Sequence, residues 1–283
     1  MQQYYDFQRR PNRHDKKASQ VRKAIFVLGG LCIAAVGIGY AYITMQANIR
    51  PTNPNTFCPT DAKGPNSITA ILIDRTDSFN PTQQAAIRDR LNDVLDHTSK
   101  YDLIEIYSVE PTKTSLLKPE FSMCNPGRGE EVNQWTGNQH LVEQRFKTSF
   151  DAPLQHLFDL ALSAKEADIS PIMESIQSIA VTELGAQKTR SKFIPRRLIV
   201  VSDLIQYVNG YSQYKPIAPF AQFRKTPYYQ NVRTDLSDIP IDIWYIRRER
   251  TLHLQGEKHI DFWRDYIADQ GGAVDKVWYV PGT

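Results

Sequence analysis

Three cysteines in 283 residues, none in a C-x-x-C pair or at zinc-ligand spacing, leave no redox motif and no zinc site. No G-x-S-x-G elbow, no H-E-x-x-H pair and no phosphate-binding G-x-x-x-x-G-K-[ST] loop occurs. Pro (17) and Gly (14) stay near ordinary usage, so wholesale disorder is not expected, and no internal repeat is found. With 41% hydrophobic and 23% charged residues, the chain has ample material for one large domain or two small ones.

The formal charge of +3 is unevenly placed. Residues 1–23 carry seven Lys/Arg against Asp6 and Asp15, a net of +5, which leaves the remainder at about −2. A basic tail on a near-neutral body argues against a nucleic-acid-binding body.

Charge is absent altogether from residues 24–45, AIFVLGGLCIAAVGIGYAYITM. At 1.5 Å per residue these make about 33 Å of helix, enough to cross a hydrocarbon core of roughly 30 Å. A cleaved signal peptide would have a shorter apolar core and a small-x-small cleavage site, which does not follow here. The expectation is a single-pass transmembrane helix. The positive-inside rule then keeps residues 1–23 cytoplasmic and exports the rest to a periplasmic or extracellular space. Gly30/Ala34 and Ala35/Gly39 have small-xxx-small spacing, which permits association of transmembrane helices but is also common in membrane helices generally. Cys58 and Cys124 fall on the exported side, where a disulfide persists, and a bridge between them is expected.

Residues 46–66 hold four Pro and no periodicity, and read as a linker to a domain over 67–283. Strands are expected at Ile68–Ile73, at 103–109, near Phe121–Cys124, and at 197–202, 241–246 and 274–280. Helices are expected at 81–97 (Asn80 as cap, Pro81 first), at 150–164, from Ile172 onward, and at 259–269. Trp135 and its surroundings read as loop. Alternating strands and helices predict one α/β domain: a doubly wound, mostly parallel sheet with helices on both faces, and an insertion at about 205–239. The continuously apolar run RLIVVS fits a strand buried on both faces.

The chain is organised around SITAILIDRTDSFNP. A buried strand there delivers Asp74, Thr76 and Ser78, at i, i+2 and i+4, to its C-terminal end, where open α/β sheets place ligand sites. Ser170 opens a mid-chain helix, where capping explains it equally well. Asp203 ends the central strand. In a doubly wound sheet all three segments share one edge. This resembles the von Willebrand factor type A domain and its metal-ion-dependent adhesion site, which has an Asp-x-Ser-x-Ser turn, then a Thr, then an Asp. Here Thr76 replaces the first Ser and Ser170 the Thr. Both replacements keep a hydroxyl, and Arg75 and Asp77 fill positions that are often small. The resemblance spans roughly residues 66–281. It implies a divalent cation (Mg²⁺, or Mn²⁺ or Ca²⁺) held by Asp74, Thr76, Ser78, Ser170 and Asp203, with a partner's Asp or Glu completing the sphere.

The implied function is a membrane-anchored protein-binding module, not an enzyme and not a nucleic-acid binder. Asp74 after an apolar strand also suggests phosphoester hydrolysis through an aspartyl nucleophile, but that chemistry needs a second Asp where Thr76 stands. A structural scaffold with a degenerate, metal-free site is the alternative. The insertion carries Tyr207, Tyr211, Tyr214, Phe220, Phe223, Tyr228 and Tyr229, residue types suited either to a partner surface or to packing the loop onto the domain.

Overall fold

A computed structural model describes residues 13–47, 50–109, 116–132, 137–162, 167–184 and 194–280. Trp135, expected in a loop, lies outside the described residues. The chain divides into two units, Met1–Pro51 and Thr52–Thr283.

The first unit contains helix α1, Arg13–Ala47, which begins well before the apolar run and takes in part of the basic tail. Within it Ile25–Ile43 is long and apolar enough to cross a bilayer by length and composition. An N-terminal apolar helix together with a disulfide in the second unit points to a secretory or membrane route.

In the second unit, β1 (Ile68–Ile73) leads through the capped turn at Asn80 into α2 (Pro81–Asp96). The Asn80 side chain accepts from the Gln83 amide while the Gln83 side chain accepts from the Asn80 amide, and Pro81 occupies the first turn. Strands β2 (Leu103–Ser108) and β3 (Phe121–Cys124) follow. Next come α3 (Gln139–Phe146), a π-helical turn at Lys147–Asp151 and α4 (Ala152–Leu162). Helical structure thus begins at Gln139, well before the expected residue 150. Asn138 caps it by accepting from the Leu141 amide, but of the helix's residues Phe146 is the one buried, so no apolar stripe marks it.

Helix α5 (Ile172–Ile179) precedes β4 (Arg196–Ser202). The insertion holds a hairpin, β5 (Tyr207–Val208) and β6 (Tyr211–Ser212), and two short helices, α6 (Phe220–Phe223) and α7 (Pro227–Val232). Strand β7 (Pro240–Ile246), helix α8 (Glu257–Ala268) and β8 (Ala273–Val280) close the chain.

The main sheet has the order β3-β2-β1-β4-β7-β8, with every pairing parallel except β2–β3. This is the expected α/β fold, and the mixed, mostly parallel sheet is consistent with the von Willebrand type A resemblance. Alternation along each strand splits the core in two. Ala70, Leu72, Leu198 and Val200 meet Ile172 and Ile176 of α5 and Ile260 and Trp263 of α8 on one face. Ile71, Ile73, Ile199 and Val201 meet Ile87 and Leu91 of α2 and Leu154 and Phe158 of α4 on the other. Both faces are covered, which is why these strands read as unbroken apolar runs.

The Cys58–Cys124 disulfide is formed, across a separation of 66 residues. Thr52 pairs with Pro59, and the Cys124 amide donates to the Thr56 carbonyl. The segment read as linker is therefore fastened to the edge strand β3 through Thr56 and Cys58.

Candidate functional site at the strand-order switch

The winding of the sheet reverses between β1 and β4, the place where open α/β sheets form a crevice at the carboxyl ends of their strands. Asp74 leaves β1 there and Asp203 leaves β4. The register pairs Ile73 with Val201, and the Asp74 amide donates to the Val201 carbonyl at 2.9 Å. The next residue on each strand is then Asp74 on one and Ser202 on the other.

Asp74 is buried, and both carboxylate oxygens are fully engaged. Oδ1 accepts from the Thr76 hydroxyl at 2.7 Å and the Thr76 amide at 3.1 Å. Oδ2 accepts from the Ser202 hydroxyl at 2.7 Å and the Ser170 hydroxyl at 3.2 Å. Four donors fill about the four lone-pair positions a carboxylate offers. Three hydroxyl protons are turned toward Asp74, which leaves lone pairs on the Thr76 and Ser170 oxygens, while Ser202 Oγ accepts from the Leu204 amide.

Ser170 is not a helix cap. Pro171 occupies the cap position of α5, without a side-chain bond, and the Met173 amide donates to the Gln206 side chain at 2.9 Å. The backbone of Ser170 pairs with Tyr207, and the Ala167 amide donates to the Thr76 carbonyl. These contacts hold the second loop against the first and fix the Ser170 hydroxyl on Asp74.

Asp203 is buried in a tight turn. Its Oδ1 accepts from the Ile205 amide at 2.9 Å, while the Leu204 amide donates to Ser202 Oγ at 2.8 Å. Leu204 takes a left-handed conformation, φ 61°, that a branched side chain rarely adopts. Its carbonyl accepts from Trp263 Nε1 at 3.0 Å and lies 3.2 Å from His259 Nε2, so α8 braces the strained turn. Burial, and then the charge of Asp74, push the Asp203 carboxyl up to about 7, with Arg248 acting in the opposite direction.

Ser78 stands apart from the other four expected residues. It is exposed, and its carbonyl rather than its hydroxyl is engaged, by Arg248 Nη1. The structure thus gathers Asp74, Thr76 and Ser170 into one hydrogen-bonded group with Asp203 beside it, and leaves Ser78 at the rim. Arg75 turns away to pair with Glu120 at 3.1 Å.

Two participants escape a linear reading. Ser202 is fully buried on Asp74, and the signal for it was available: it precedes Asp203 in VVSD, and parallel pairing with β1 sets it beside Asp74. Arg248, just past β7, reaches across the edge. Its Nε lies 3.7 Å from Asp203 Oδ2, Nη2 donates to the Asp77 carbonyl at 3.2 Å, and the guanidinium lies 4.9 Å from the Phe79 ring centre. No motif marks it.

Most of the insertion's aromatic residues pack onto the domain. Phe223 and Tyr229 are buried in the core, and Tyr211, Phe220 and Tyr228 pack against it. Tyr207 and Tyr214 remain 41% and 47% exposed, in an edge-to-face pair with centres 5.5 Å apart.

The donor set is all oxygen: two carboxylates and a ring of hydroxyls, the type that suits a hard divalent cation. Among the described residues, no three His, Cys, Asp or Glu side chains converge as metal ligands. Any cation here would depend on the hydroxyls.

No protein-family model and no curated protein matches this chain. Among solved structures it is similar to proximal thread matrix protein 1 from the mussel byssus, at 7% identity and a TM-score of 0.35. The match covers 76% of this chain and 44% of that one, so this chain spans less than half the length of the mussel protein.

Proposed function

We propose that the protein is a membrane-anchored, von Willebrand type A-like binding module. In this reading its switch-point face holds a divalent cation and engages an acidic group on a partner protein. The observation that carries the reading is Asp74, buried at the switch point under three hydroxyls with a second buried carboxylate, Asp203, beside it. Asp74 accepts from the Thr76 and Ser170 hydroxyls, which leaves lone pairs on both oxygens for a cation, and Asp203 supplies the second negative charge. Ser78, at the rim, is the remaining hydroxyl of the turn. A bound Mg²⁺ would supply an open coordination position for a carboxylate oxygen of the partner. Tyr207 in the adjoining hairpin and Tyr214 just past it are exposed aromatic residues available to the same partner. The reading asks for no catalysis, and Thr76 stands where aspartyl phosphoryl transfer needs a second Asp. The apolar span and its basic flank support an anchor with an exported domain.

A metal-free scaffold is favoured by one observation: Arg248 already places a positive charge near Asp203. Thermal unfolding of the full-length chain in detergent, in EDTA and then in Mg²⁺ or Mn²⁺, separates the two. At about 100 times its dissociation constant a native-state ligand adds about 2.7 kcal/mol, a rise of roughly 5–10 °C for a domain of this size. That rise in wild type and its loss in Asp74→Ala support the cation site. No rise in either protein supports the scaffold.

A further inference from the structure

We propose that the cavity beside Arg247, Arg248 and Arg250 is an oxyanion site, taking a carboxylate or phosphate group carried on an apolar body. The cavity, about 620 Å³, lies between the turn after β1 and the segment between β7 and α8. That volume is in the range of small-ligand sites, which pair an apolar wall with a few placed polar groups. Phe79 and Leu254 contribute apolar lining, and the three arginines and His253 contribute the polar side, with Glu249 and Asp77 the acids present.

The arginines differ in what they can do. Arg248 is fixed: two of its nitrogens donate to the Ser78 and Asp77 carbonyls and its plane covers Phe79. Arg247 is anchored through its backbone, where its carbonyl accepts from Gln83 Nε2 at 2.8 Å. Its Nε is buried without a hydrogen-bond partner, whereas that of Arg248 faces Asp203 Oδ2 at 3.7 Å. A buried guanidinium N–H lacking an acceptor is a standing cost that an incoming oxyanion would remove. Arg250 is exposed at the mouth. A guanidinium presents its donors in a planar fork that matches carboxylate and phosphate alike, and is the usual partner of both. The cavity adjoins the Asp74 group, since Ser78 and Tyr214 also line it and Arg248 reaches Asp203, but it rests on no bound cation.

Calorimetric titration of the full-length chain in detergent and EDTA tests this with benzoate, phenyl phosphate and, as the uncharged control, benzyl alcohol. Saturable binding of either anion, at least about tenfold tighter than benzyl alcohol and weakened by salt, is expected. The tighter of the two anions tells whether carboxylate or phosphate is preferred. Arg247→Gln and Arg250→Gln should each weaken binding by about tenfold or more. Arg250, being exposed, reports even where Arg247→Gln fails to fold. Anion binding no tighter than benzyl alcohol, or unchanged in both variants, overturns the proposal. So does binding that is absent in EDTA and restored by Mg²⁺, which would assign the probes to the Asp74 group instead.

Discussion

Arg248 Nε lies 3.7 Å from Asp203 Oδ2, so a cation belonging to the chain itself stands at the buried carboxylate at the end of β4. The same guanidinium ties down the turn after β1 through the Ser78 and Asp77 carbonyls. One side chain therefore connects the two loops that flank the switch point.

Replacing it should separate its two roles. Arg248→Gln removes a partner of a buried acid and two bonds to carbonyls, and should destabilise the metal-free protein by about 3 kcal/mol in denaturant unfolding. It also removes the positive charge that opposes a bound cation. The Mg²⁺-induced rise in unfolding temperature should then be larger than in wild type. A rise equal to or smaller than that of wild type would show that Arg248 does not compete with the cation.

The hydroxyls around Asp74 should be unequal. Ser202→Ala leaves Asp74 Oδ2 short of one donor and the Leu204 amide without its acceptor, both buried, and should cost about 1–3 kcal/mol. Ser78→Ala removes an exposed hydroxyl and should change stability by less than about 0.5 kcal/mol. Denaturant midpoints of the two variants check the contrast, and equal effects would contradict the geometry.

Reduction should loosen the second unit. The Cys58–Cys124 bridge closes 66 residues of chain, and its loss in the Cys58→Ser, Cys124→Ser double variant should cost about 2–4 kcal/mol. Unfolding of wild type with and without reductant should reproduce that difference, while the double variant should not respond to reductant.

Acid should expose the bracing of the Leu204 turn. Burial holds His259 down at about 4, against about 6.5 in an unfolded chain. The Tyr245 hydroxyl lies 2.6 Å from its Nδ1, with Gln213, Trp263 and the Leu204 carbonyl on its other side. Between pH 6.5 and 4 the unfolded chain binds a proton that the folded one does not. His259 therefore contributes a stability loss that grows as pH falls through that window, about 3 kcal/mol in full. Asp203, raised rather than lowered, acts with the opposite sign over an overlapping range. The comparison is therefore wild type against His259→Gln at each pH. The stability difference between them should shrink on acidification, and a constant difference would exclude the effect.

Much of this architecture is legible in the linear chain because it follows from local rules. An apolar run ending in Asp74-x-Thr76 makes a buried strand and an Asp-centred turn. Asn80-Pro81 with Gln83 starts a helix, and 22 uncharged residues lie in a helix long and apolar enough to cross a membrane. The helix beginning at Gln139 carries no such signal: of its eight residues Phe146 is the one buried, so no apolar stripe follows the cap Asn138.

Sequence by itself determined the strands of the main sheet, the α/β class, the membrane-length helix and the carboxylate-and-hydroxyl turn, since each depends on periodicity, capping and composition within a short window. Tertiary structure alone decided which groups meet. Ser202 joins Asp74 because parallel register brings together residues 128 positions apart. Ser170 serves Asp74 rather than α5 because Gln206, from another loop, meets the helix start instead. Arg248 reaches Asp203 because β7 lies next to β4 in the sheet and ends at the same edge. Hydrogen bonds and charges act over a few ångströms, and only the folded sheet sets which distant residues fall within that reach.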